Sequence, residues 1–75
     1  MSGQFETEAA AWRLIEPGLW ALDGTQMRIR LAVAGGIYYF VERSGHILQG
    51  AHSLTGAKMQ AADVAGELQD AGIEP

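Results

Sequence analysis

An α+β domain, a short antiparallel meander lying against one C-terminal helix, follows from three features of the 75-residue chain. Between Met27 and Val33 apolar and polar residues alternate, which is the period of a half-buried strand. Turn-forming pairs punctuate the middle of the chain at Asp23-Gly24, Gly35-Gly36 and Ser44-Gly45. From Leu54 onward the apolar period lengthens from two residues to that of a helix.

Taken in order, residues 1–5 read as a frayed end. Residues 6–15 hold good helix formers, with Phe5, Ala9, Trp12 and either Ile15 or Glu16 at helical spacing. Pro17-Gly18 stops what precedes it and suits the centre of a turn. Trp12–Glu16 and Leu19–Leu22 would equally make a hairpin around that turn, so residues 6–16 stay open between helix and strand. A short helix or irregular arm through Ala11, then extended chain, is the preferred reading.

Met27, Ile29, Leu31 and Val33 alternate with Arg28, Arg30 and Ala32. Gly35-Gly36 suits a tight hairpin, and Ile37–Glu42, rich in β-branched and aromatic residues, is the return strand. Ser44-Gly45 turns the chain again into a third strand at His46–Gln49. Ser53 is placed to cap a helix from Leu54 to about Ala71. Leu54, Ala57, Ala61, Val64, Leu68 and Ala71 fall on one stripe of it. Gly72 stands where such a helix ends, and Pro75 cannot extend it. Three to four strands and one helix make a single domain over residues 1–75.

The hairpin admits two registers. A two-residue Gly35-Gly36 loop sets Val33 across from Tyr38 and Leu31 from Phe40. A loop one residue longer turns Ile37, Tyr39 and Val41 inward and Tyr38 and Phe40 outward. Either way one helix covers one face, and aromatic or β-branched side chains remain on the other. That bare face meets a partner, or Phe5, Trp12 and Trp20 fold over it and complete a second small core.

A chain of this size only just offsets its conformational entropy. With no cysteine, disulfides and thiolate metal sites are excluded, which leaves dimerisation as the common device and makes a homodimer the expectation. Nine acidic residues against five basic give a formal charge of −4, without the basic surplus of a duplex-binding domain. No apolar run approaches a membrane span, and the first residues lack the pattern of a signal peptide. A cytoplasmic protein is therefore expected.

Conventional chemistry finds little footing, and no cofactor, metal or enzymatic activity is expected. His46 and His52 lack the helical pair spacing of a zinc site. Ser44, Ser53 and Thr55 occupy turn and cap positions without a nucleophile elbow. Gly50 to Lys58 imitates a phosphate loop, but its glycines are one residue too far apart and no Ser or Thr follows the lysine.

Three clusters remain as candidate contact residues. Asp63, Glu67 and Asp70, with Glu74 beyond, make an acidic helix end suited to a basic partner surface. Tyr38, Tyr39 and Phe40 are the aromatic candidates on the sheet. Arg28, Arg30 and Arg43 are the alternative, a grip on nucleic acid.

Strand–strand–strand–helix over Met27–Ala71 resembles the integrase arm-type and AP2-like DNA-binding domains. That resemblance implies a sheet laid on DNA through Arg28, Arg30 and Arg43, with Tyr39 or Phe40 in apolar contact. In size, acidity and lack of cysteine the whole chain also looks like the small phage-encoded accessory proteins of the anti-CRISPR type. That second resemblance implies a non-catalytic inhibitor occluding a basic surface of a host nucleoprotein complex. An oligomer-forming structural subunit is the third expectation.

Overall fold

The computed structural model describes residues 12–75. The expectations of a frayed end at residues 1–5 and of a helix or arm through Ala11 lie outside the described residues. Five strands and one helix follow one another: β1 Trp12–Glu16, β2 Leu19–Leu22, β3 Met27–Ala32, β4 Tyr38–Arg43, β5 His46–Ala51 and α1 Leu54–Asp70. The strands form one antiparallel sheet in the order β1-β2-β3-β4-β5, so the α+β meander stands, with five strands.

Trp12–Glu16 resolves as strand. Trp12, Arg13 and Leu14 pair with Leu22, Ala21 and Trp20 across the Pro17-Gly18 turn. Helix propensity loses here because an adjacent strand supplies both a hydrogen-bond ladder and an apolar face, which outweighs tenths of a kcal/mol per residue. β5 runs two residues further than the His46–Gln49 expectation, to Ala51. Between β4 and β5, Arg43 pairs with His46 around Ser44 (φ 53°) and Gly45 (φ 83°). Two successive positive φ angles are the signature of a type I′ turn, whose twist matches that of the strands it joins.

The β3–β4 hairpin adopts the longer loop. Ala32 pairs with Tyr38, Leu31 with Tyr39, Arg30 with Phe40 and Ile29 with Val41. This register brings Met27, Ile29 and Val41 together as the largest fully buried side chains. It also sets Arg28 opposite Glu42, an opposite-charge cross-strand pair on the other face.

Ser53 caps α1 as its position implies, its Oγ accepting the Gly56 N–H at 3.0 Å. Ala57, Ala61 and Val64 are buried, and Leu54 and Leu68 pack against the same core. Ala65 joins the buried set, whereas Ala71 is exposed just past the last helical residue. At the C-terminal end the Gly72 N–H donates to the Gln69 carbonyl (2.9 Å) and the Ile73 N–H to the Leu68 carbonyl (2.8 Å), the paired bonds of a Schellman motif. The tail then returns to the sheet, where the Pro75 carbonyl accepts the Gln26 N–H at 3.0 Å.

Among the described residues α1 lies closest to β3, β4 and β5, and Leu22 of β2 joins the same buried cluster as the helix residues Ala57, Ala61 and Val64. The sheet is wider than its single helix.

Candidate binding surfaces

Pairing and alternation divide the sheet into two faces. Trp12, Leu14, Trp20, Leu22, Ile29, Leu31, Tyr39 and Val41 share the helix side. Arg13, Ala21, Arg28, Arg30, Tyr38, Phe40, Glu42 and Gly50 share the outer side. This corrects one expectation: Trp12 and Trp20 do not fold over the bare outer face. Both pack against the main core, where the Trp20 ring lies 5.9 Å from that of Tyr39 at 52°.

The three aromatic candidates are split accordingly. Tyr39 belongs to the core side, whereas Tyr38 and Phe40 stand together on the outer face, ring centroids 4.9 Å apart at 62°. The His52 ring also meets Tyr38 in a T-shaped contact, at 4.8 Å and 81°. Tyr38 is laid over Gly50 of the neighbouring strand, so closely that a Cβ at Gly50 would collide with the ring. Tyr38 thus contacts Phe40, His52 and the Gly50 backbone together. Between it and the Ala34–Ile37 loop opens a cleft of ≈ 460 Å³, lined also by Ala32. This role of His52 is not visible in the sequence, because Tyr38 lies 14 residues away.

The three arginines do not form one patch. Arg28 and Arg30 lie on the outer face, but Arg43 lies on the helix side, where it donates to the Pro75 carbonyl (3.3 Å) and the Glu74 carbonyl (2.7 Å). The longer hairpin loop is the physical reason. In the shorter register Arg43 would have shared the face of Arg28 and Arg30. Arg30 is paired with Glu42 at 3.1 Å, and the Arg28 guanidinium donates to the carbonyls of Thr25 (3.1 Å) and Met27 (2.8 Å). Arg13 is paired with Asp23 at 3.1 Å.

The acidic candidates are placed differently. Asp63, Glu67 and Asp70 are all exposed, and among the described residues none of them forms an ion pair. α1 has no acidic residue in its first turn and no basic residue in its last. Glu67 and Asp70 lie in its last turn, where the helix dipole disfavours carboxylates by about 0.3–1 kcal/mol each. Asp63 and Glu67 are also four residues apart, a spacing at which like charges repel.

Among the described residues no three His, Cys, Asp or Glu side chains are grouped to hold a metal ion. No hydrogen bond among them joins a serine or threonine hydroxyl to a histidine, and the Ser53 hydroxyl is taken up by the cap. The glycines of the phosphate-loop imitation fall apart structurally, Gly50 in β5 and Gly56 inside α1. No described helix is long and apolar enough to cross a membrane. The chain matches no protein-family model, no curated protein and no solved structure.

Proposed function

We propose that this is a non-catalytic binding protein that presents the acidic side of α1 to a basic surface of a macromolecular partner. In its most specific form the reading is a phage-type inhibitor, of the anti-CRISPR kind, that occludes a host nucleoprotein complex. One observation carries it. Asp63, Glu67 and Asp70 are exposed and spaced three or four residues apart so that they repel, and Glu67 and Asp70 also sit at the C-terminal end of the helix dipole, so they cost the fold stability and form no ion pair within the described residues. A charge arrangement that weakens its own helix is accounted for by a partner that neutralises it, and such complementarity also speeds association.

The aromatic plate of Tyr38, Phe40 and His52 supports a second contact area on the opposite face of the sheet. The duplex-binding alternative draws less support, because Arg43 is turned away from Arg28 and Arg30 and spent on the tail.

The test compares the wild type with Asp63→Asn/Glu67→Gln/Asp70→Asn in affinity capture from host extract, with retained proteins identified by mass spectrometry. A partner held by the wild type and lost by the folded variant is expected. Equal retention by both would overturn the acidic-contact reading. Salt-sensitive retention of bare duplex DNA by the wild type, abolished by Arg28→Ala/Arg30→Ala, would instead favour the nucleic-acid alternative.

A further inference from the structure

The outer face of the sheet sets an aromatic cluster beside a positioned cation. Tyr38 and Phe40 are half-buried and His52 is exposed, and together they border an open cleft whose other wall includes Gly35 and Gly36. A Cβ on either glycine would meet nothing within 4 Å, so that wall is uncluttered backbone. Three rings facing such a wall suit a flat group with an apolar face.

The cation is Arg30, the cross-strand partner of Phe40. Its Nε donates to the Glu42 carboxylate at 3.1 Å, and neither terminal amino group has a partner among the described residues. The Glu42 side chain is only 12% exposed and that of Arg30 is 51% exposed. A part-buried carboxylate thus orients a guanidinium whose outer fork stays open to solvent. Forks of this kind match the paired oxygens of a phosphate. Arg28 stands across from the same Glu42, so two arginines share one carboxylate there. Glu16 lies on this face as well, but two strands beyond Arg30 in the row Glu16–Leu19–Arg30. Next to the rings one positive charge is left over.

The geometry points to a single-stranded nucleic acid as the occupant, with bases on Tyr38, Phe40 and His52 and a phosphate on Arg30. A duplex hides its base faces, whereas a single strand offers a flat ring and an anion in every unit. A free nucleotide fits less well, because a small ligand needs most of its surface buried and this cleft is open. A strand instead gathers successive shallow contacts. Tyr38, then Phe40 with Arg30, then Arg28 follow one another in two-residue steps of about 7 Å along β3 and β4. This face lies across the sheet from α1, so the inference does not rest on the proposed function of the acidic helix side.

The test is fluorescence anisotropy of a short labelled oligothymidylate titrated with the full-length protein at about 50 and about 200 mM salt. The wild type is expected to bind saturably and to lose about threefold in affinity over that rise, the effect of roughly one phosphate contact. Arg30→Gln should weaken binding at low salt and remove most of the salt dependence. Phe40→Leu and His52→Ala should each weaken binding by about fivefold or more and leave the salt dependence intact, as loss of a stacked base does. His52 is exposed and lies outside the strands, so His52→Ala decides the matter should Phe40→Leu lose its circular dichroism. Absence of binding by the wild type at low salt overturns the inference, and so does unchanged affinity in the folded stacking variants. Equal affinity after annealing to oligoadenylate overturns it too, because exposed bases would not then be the contact. Displacement of the strand by oligoglutamate at equal charge would assign the face to an acidic protein segment instead.

Discussion

At the scale of single residues, Gly50 and Tyr38 show how a side chain absent from one strand positions an aromatic ring on the next. The Tyr38 ring rests where the Gly50 Cβ would be, in contact also with the rings of Phe40 and His52. Gly50→Ala is expected to lower the melting midpoint, because the ring must leave its seat. Overpacking of this kind costs about 1–3 kcal/mol, and in a domain this small each kcal/mol is worth roughly 4–8 °C. Thermal unfolding followed by circular dichroism measures it. Near-ultraviolet dichroism of the tyrosines should change in the same variant below its midpoint. None of this is legible from sequence, because Gly50 acquires its meaning only from a residue on another strand. By contrast, the separation of Tyr39 from Tyr38 and Phe40 is inherent in strand alternation, and only the face assigned to each depended on the register.

At the scale of elements, legibility follows length and local chemistry. α1 has a cap, a long apolar stripe and a terminating glycine, each a local signal, and its observed span of Leu54–Asp70 follows them. β1 has five residues, too few to establish a period, and its conformation is decided by β2 rather than by its own propensities. The β3–β4 register was ambiguous because both loop lengths leave apolar residues on each face. Packing selects the one in which Met27, Ile29 and Val41 coincide. The helix also carries one residue that its own stability does not require. Gly66 lies in its interior, and a Cβ there would meet nothing within 4 Å. Gly66→Ala should therefore raise stability by about 0.8–1 kcal/mol, the propensity difference in a helix interior. An unchanged or lowered denaturation midpoint would mean that the position faces something the described residues do not supply.

For the molecule as a whole, charge is segregated. Arg13, Arg28 and Arg30 lie on the outer face of the sheet with Glu42, while Asp63, Glu67 and Asp70 crowd one side of the helix. Among the described residues the ion pairs are Arg13–Asp23, exposed on both sides and worth little, and Arg30–Glu42, which joins an exposed arginine to a carboxylate only 12% exposed. Screening should then relieve more repulsion than attraction. Added sodium chloride is expected to raise the melting midpoint by roughly 2–5 °C, in keeping with a few tenths of a kcal/mol per unfavourable charge. Asp63→Asn/Glu67→Gln/Asp70→Asn should reach that higher midpoint at low salt and respond little to more. A wild-type midpoint that falls with salt would show that the acidic side of α1 is not where the strain resides.

The strictly sequential strand order has a kinetic consequence. Each strand finds its neighbour by closing a short turn, so the sheet can grow like a zipper without waiting for remote segments to meet, and low contact order of this kind goes with rapid folding. The closing step is different. The layer that dries the interior, α1, follows all five strands in sequence, and the segment after it ties back to the sheet where the Pro75 carbonyl accepts from Gln26 and Arg43. On a translating ribosome the ribbon would be free to assemble early, but its oily side would stay wet until α1 had cleared the exit tunnel.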